Sequence, residues 1–243
     1  MSRRTFSWRS AGSTDVGRVR EVNEDTYLDA PDVGLWVVAD GMGGHAAGDV
    51  ASGLIVRALK DVVLHDDGDA FIDDVERRLT EVNRLLYERS VTLERTMGST
   101  VVAVLAHRTS FVVLWAGDSR VYRRSSKGFQ QITRDHSQVE ELVALGEITR
   151  DDARDHPLAN VITRAVGGAR KLRLEACMEP LQDGDRLLIC SDGLFKDLDD
   201  DDLNRLLAEG NARESCGLLI DAALDRGGGD NITAIVVDFR SGA

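Results

Sequence analysis

Val37-Val38-Ala39-Asp40-Gly41-Met42-Gly43-Gly44-His45 carries the apolar run Leu35 to Ala39 into a carboxylate and then into a turn rich in glycine. An apolar run of that length, bounded by turn residues, reads as a buried strand. Gly41, Gly43 and Gly44 permit positive φ and close backbone approach. Asp40 then stands at a strand end facing outward. It is either the floor of a metal site or a solvated residue in a tight turn.

Upstream, residues 5 to 30 read as an extended segment punctuated by Gly12 and Gly17. Pro31-Asp32-Val33-Gly34 is a turn, so Tyr27 to Ala39 reads as a hairpin that delivers Asp40. That pairing lets Asp25 meet Asp40 at one end of neighbouring strands. Arg20, five residues before Asp25, is a candidate cation for an anionic substrate, because guanidinium matches phosphate oxygens two at a time. A surface salt bridge is the other reading of Arg20.

Downstream, Val50, Leu54, Ile55, Ala58, Leu59 and Val62 recur at helical spacing. Phe71, Val75, Leu79, Val82, Leu85 and Leu86 do so again, which predicts two amphipathic helices. From Gly98 to Thr133 the period shortens to that of successive strands joined by polar turns, as in an antiparallel sheet. Gly117-Asp118-Ser119-Arg120 follows the most apolar of them. Residues 137 to 165 read as broken helix, a lid or flap, with Ser137 capping its first helix and His136 as a satisfied histidine rather than a metal ligand. Leu172 to Ala176 and Asp185 to Ser191 return to strands, the second ending in Asp192-Gly193. The acidic run Asp197 to Asp202 reads as a helix N-terminus, where carboxylates complement the dipole. Gly229-Asp230-Asn231 opens a last strand, Ile232 to Phe239.

Asp40, Asp118, Asp192 and Asp230 thus share one context, a turn at the end of an apolar strand. Independent surface loops explain that poorly, and a carboxylate cage explains it well. Oxygen donors without paired His or Cys suit hard cations, so the expected metal is Mg²⁺ or Mn²⁺ rather than zinc. An EF-hand would need its ligands within one short loop, and these are scattered.

The 243 residues, 42% of them apolar, suffice for one large packed domain. With 42 acidic against 30 basic residues the net charge is −12, which disfavours nucleic acid or an anionic membrane as partner. The longest apolar runs, Val101 to Ala106 and Phe111 to Ala116, are far shorter than the roughly 20 residues that span a bilayer. Ser2-Arg3-Arg4-Thr5-Phe6 has the look of a twin-arginine signal, but Ser7-Trp8-Arg9-Ser10 is polar and no apolar segment follows, so export is not expected. Cys177, Cys190 and Cys216 are odd in number and widely spaced, which fits a reducing cytoplasm and gives neither a disulfide framework nor a zinc site.

Taken in order, Arg20-x-x-Asn23-Glu24-Asp25, Asp40-Gly41-Met42-Gly43-Gly44-His45, Gly98-Ser99-Thr100, Gly117-Asp118-Ser119-Arg120, Ser191-Asp192-Gly193 and Gly229-Asp230-Asn231 resemble the metal-dependent Ser/Thr protein phosphatases of type 2C, the PPM family. The resemblance implies an α+β fold, a four-layer α/β/β/α sandwich of two antiparallel sheets flanked by helix pairs. It implies a single domain over 1–243, with a flap at about 135–168. On the family's pattern Asp40 bridges two metals, the Gly41 carbonyl binds one, Asp192 and Asp230 complete the set, and Asp25 acts through bound water. Asp118 matches an aspartate that can help hold a third ion, and Arg20 orients the substrate phosphate. Two Mn²⁺ or Mg²⁺ ions would activate a water against phosphoserine or phosphothreonine, without a covalent phosphoenzyme. Some relatives carry a histidine directly after the Asp-Gly pair, where this chain has Met42. A metal-bound water is therefore expected to protonate the leaving alcohol, with His45 as the other candidate.

The resemblance further implies a bacterial, free-standing, cytoplasmic monomer acting on phosphorylated Ser/Thr proteins and opposing a cognate Ser/Thr kinase. Gly-Gly-His at 43–45 and Asp135-His136-Ser137-Gln138-Val139-Glu140-Glu141-Leu142 also look like the small phosphatases of type VI secretion systems. The alternative is a catalytically silent phosphoprotein-binding module on the same fold, which would be expected to lack one of the carboxylates.

Overall fold

Strand β3 (Leu35–Met42) is buried on both faces, which is why its sequence is a continuous apolar run rather than an alternation. Leu35, Val37 and Ala39 turn toward a helical layer, whereas Trp36 and Val38 turn toward a second sheet. Leu35, Val37 and Val38 each contribute roughly 1.5–3 kcal/mol through burial. The structure is a computed structural model that describes residues 6–43, 47–154 and 156–242. The twin-arginine-like start and His45 lie outside the described residues.

β3 lies between β2 (Asp25–Ala30) and β5 (Val101–His107), and the sheet continues through β6 (Ser110–Ala116) to β9 (Glu175–Pro180). The two-residue β4 (Gly98–Ser99) pairs with the end of β3. The other sheet runs β1 (Phe6–Asp15), β11 (Ile232–Ser241), β10 (Arg186–Cys190), β7 (Arg120–Ser125), β8 (Gly128–Gln131). The strand pairings are antiparallel.

Helices α1 (Ala47–Lys60) and α2 (Gly68–Leu93) cover the outer face of the first sheet, where Ile55, Leu59, Phe71, Val75 and Leu79 pack against Val37, Ala103 and Leu114. On the outer face of the second sheet, α5 (Asp192–Asp197), α6 (Asp200–Leu207) and α7 (Ala212–Asp225) pack Leu194, Leu203 and Leu219 against Leu188, Ala234 and Val236. Between the sheets Trp36, Val104, Val113, Ile189, Val237 and Phe239 form the central core. The result is the expected four-layer α/β/β/α sandwich.

Several local expectations hold. Asp199 caps α6 by accepting from the Asp202 N–H, which places the acidic run at the helix start. Ser137 caps α3 (Gln138–Leu145), Gly146 closes it with φ 74°, and α4 (Arg150–Arg154) follows.

Three expectations are revised. The strands of 98–133 do not form one sheet, because the chain crosses between sheets at Gly117–Ser119 and leaves β5 and β6 on one side, β7 and β8 on the other. The strand predicted at Leu172–Ala176 starts later, since pairing with β6 begins at Trp115 opposite Glu175, while Leu172 and Leu174 pack against the helix-covered core. Asp192 does not sit in a free turn but opens α5, with Ser191 as its N-cap.

Candidate active site at one end of the sandwich

Register brings the acidic turns together. Asp25 is paired with Asp40 across β2 and β3, and Val101 with Ala116 across β5 and β6. In the second sheet Cys190 is opposite both Arg120 and Ala234. The segments that follow Ala116 and Cys190 and precede Ile232 therefore emerge at the same end as Asp40. Arg20, Asp40, Gly41, Asp118, Asp192 and Asp230 line one open cleft of about 640 Å³. Glu24, Thr100, Lys196 and Asn231 share it, as do Met42, Asn160 and Ile162.

The backbone around Asp40 is fixed on both sides. Its N–H donates to Thr100 Oγ1 (3.1 Å) and its carbonyl accepts from the Thr100 N–H (2.8 Å). A Cβ on Gly41 would stand 2.1 Å from the Gly48 carbonyl oxygen, so only glycine lets α1 approach this closely. Asn231 ties three segments to the cleft floor: Oδ1 accepts from the Glu24 N–H (2.8 Å), and Nδ2 donates to the carbonyls of Val16 (2.9 Å) and Val22 (3.0 Å).

Asp25 does not line the cleft. It is buried behind it and accepts from Ser191 Oγ and Thr233 Oγ1, both at 2.7 Å. The Ser191 hydroxyl also accepts from the Thr233 N–H (3.0 Å), so it makes no side-chain cap bond to α5. A helix-capping residue is thus diverted to hold a carboxylate.

Burial pushes Asp25 from 3.8 up to about 7, against the lowering by its two hydroxyl donors, and the charges of Asp192 and Asp230 add to it. Burial likewise takes Asp118 to about 7, helped by Asp192 and Asp135 and opposed by Lys196. The Asp40 carboxyl is held well above its ordinary range, first by burial and then by Asp192, Asp25, Asp118 and Asp230. Carboxylates this close and this dry need cations.

Two side chains of this chain supply part of that charge. Arg20 pairs with Asp230, Nε to Oδ1 and Nη2 to Oδ2 at 3.0 Å each. The ammonium of Lys196 lies 2.5 Å from Asp192 Oδ2 and 3.8 Å from Asp230 Oδ2. Among the described residues no three His, Cys, Asp or Glu side chains close around a single point. The donor set still fits hard divalent cations, being all oxygen, partly buried and short of positive charge. Lys196 escaped the motif reading. Its spacing of four residues from Asp192 on a helix was the available signal.

The sequence pattern of the family described as Protein phosphatase 2C matches residues 18–215. The serine/threonine phosphatase stp of Listeria welshimeri is 36% identical over 235 residues, 93% of each chain. PstP of Mycobacterium tuberculosis is 36% identical over 242 residues, which cover 98% of this chain and 46% of that protein. Among solved structures, PppA of Pseudomonas aeruginosa, described as a key regulatory component of T6SS, superposes with TM-score 0.90 at 42% identity over 98% of this chain and 100% of that one. The PstP catalytic domain in complex with two manganese ions superposes with TM-score 0.86 at 33% identity, over 97% of this chain and all of that one.

The chain belongs to the protein phosphatase 2C family. It is a serine/threonine phosphatase with the α+β sandwich of that family.

Proposed function

We propose that the cleft hydrolyses phosphoserine and phosphothreonine in proteins with two Mn²⁺ or Mg²⁺ ions, and that the chain opposes a Ser/Thr kinase. The observation that carries this reading is the convergence of Asp40, Asp118, Asp192 and Asp230 with Arg20 on one cleft short of positive charge. The two manganese ions of the PstP catalytic domain support the choice of metal. Asp40, the Gly41 carbonyl, Asp192 and Asp230 would hold the pair, Asp25 would act from behind, and Asp118 would serve a third ion. Bound there, the cations activate water for attack on phosphorus and offset the charge of the transition state.

The chain's own residues bind and orient. Arg20 is half-exposed at the cleft mouth, and its guanidinium is free to exchange Asp230 for two phosphate oxygens once a metal has taken that carboxylate. Ser191 and Thr233 keep the Asp25 carboxylate aimed by two short bonds. Asn160 and Ile162 line the cleft from within residues 135–168, which supports reading that stretch as a flap that would meet a substrate polypeptide. We extend the proposal to a cytoplasmic monomer and to the secretion-system setting named for PppA, supported by 42% identity over the full length of that chain. Among the described residues no helix is long and apolar enough to cross a membrane.

The test is phosphate release from a phosphothreonine peptide with Mn²⁺, Mg²⁺ or EDTA, beside Asp192→Asn. The reading predicts activity with metal alone and a loss of about 100-fold or more in the variant. Wild-type protein that binds Mn²⁺ and releases no phosphate would favour the silent phosphoprotein-binding module instead.

A further inference from the structure

Asp118 rides on the turn between β6 and β7, which Thr100 Oγ1 braces at Ser119 Oγ (2.7 Å) and His136 braces at Gly117. The two segments are joined twice, His136 N–H donating to the Gly117 carbonyl (3.0 Å) and Gly117 N–H donating to His136 Nδ1 (3.1 Å). The ring is 6% exposed and stacks on Trp115 with centroids 6.0 Å apart and planes 7° from parallel. An accepting Nδ1 has no proton, so the proton sits on Nε2, which donates to Glu175 Oε2 at 2.9 Å, while Arg164 Nη1 stands 3.1 Å from the same nitrogen and 3.4 Å from that carboxylate oxygen, so that its charge also disfavours a proton on both ring nitrogens. Burial lowers the pKa of the ring and favours this neutral form. The flap meets the same residue, because the Thr163 N–H donates to the His136 carbonyl at 2.7 Å. His136 itself does not line the cleft.

We propose that His136 is a positioning residue whose Nδ1, through the Gly117 N–H, sets where the Asp118 carboxylate stands and ties that setting to the flap. The proposal rests on the reading of Asp118 as a working carboxylate of the cleft. Loss of the bond leaves a buried N–H unpaired and frees a turn on which Gly117 holds φ +120°. Side chains that orient a site from behind change turnover by roughly 10- to 100-fold when removed.

Two near-isosteric variants separate this role from simple packing. Asparagine can place Oδ1 where Nδ1 stands, keeping the acceptor for Gly117 and losing Glu175. Glutamine reaches Glu175 and loses Gly117. In the metal-free protein, ring ¹⁵N shifts of His136 should show a proton on Nε2 alone, and a proton on Nδ1 would overturn the proposal. With saturating Mn²⁺ and a phosphothreonine peptide, His136→Gln should lower kcat about tenfold with little change in KM, and His136→Asn should stay within about threefold of wild type. In an Asp118→Ala background the loss from His136→Gln should vanish, since residues that act through one another are not additive. Equal losses in the two variants, or a full loss retained without Asp118, would overturn it. If Asp118→Ala alone leaves kcat unchanged, the Asp118 reading falls and the proposal with it. Should His136→Gln not fold, His136→Leu is the second variant, because it fills the same buried space and has no acceptor for the Gly117 N–H; unchanged kcat there would overturn the proposal.

Discussion

At the scale of single residues, the metal-free site works against the fold as pH rises. Burial pushes the Asp25 and Asp118 carboxyls from 3.8 up to about 7, so between these limits the folded chain holds protons that the unfolded chain has released, and the single imidazole of His136, lowered by burial from 6.5, opposes these two groups. Stability of the metal-free protein therefore falls as pH climbs from about 4 toward about 7. Asp74 and Asp202, held low by arginine partners, exert their own pH dependence below that window. We predict a higher urea midpoint at pH 5 than at pH 7.5 in EDTA, with a flatter dependence in Asp25→Asn; a wild-type midpoint that rises with pH would contradict this. Four of the aspartates were legible in the sequence because Asp40, Asp118 and Asp192 follow apolar runs and Asp230 precedes one, each beside a glycine. The bonds of Ser191 and Thr233 to Asp25 were not, because they come from contacts between segments far apart in the chain.

At the scale of elements, α5 sets a carboxylate in its first turn and a cation in its last, Asp192 and Lys196. Both placements suit the helix dipole, and the resulting ion pair occupies a carboxylate that a metal would need. Lys196→Met should tighten Mn²⁺ binding by roughly two- to fivefold, the modest effect expected for a pair a third exposed to solvent. The same change should lower the melting temperature of the metal-free protein, because Asp192 loses its partner. Calorimetric titration checks the first and a thermal melt the second; weaker Mn²⁺ binding in Lys196→Met would contradict the competition. Helices α1 and α2 and the cap of α6 were readable from 3.6-residue spacing and acidic first turns. The split of residues 98–133 between two sheets was not, since strand period says nothing of which sheet a strand joins.

At the scale of the molecule, three apolar layers hold four structural layers, and the central one is where both sheets commit side chains. Trp36 is fully buried there, with its ring 5.9 Å from those of Trp8 and Phe239. Trp36→Ala should cost about 3–5 kcal/mol of unfolding free energy, read from urea denaturation, and a cost below about 1 kcal/mol would show that the sheets are not held together there. The sandwich was legible through the ordered motifs, whose positions make sense only if distant strands end at one face. How far the carboxylates close was not legible, because Lys196 lies outside the motif pattern and the pairing of Arg20 with Asp230 joins segments far apart in the chain. The central claim is that these strand ends assemble a binuclear site on Asp40. Calorimetric titration of EDTA-stripped protein with Mn²⁺ tests it most directly, with Asp40→Asn alongside. The account predicts at least two Mn²⁺ per wild-type chain and loss of both high-affinity sites in a variant that still folds. Unchanged stoichiometry and affinity in Asp40→Asn would contradict it.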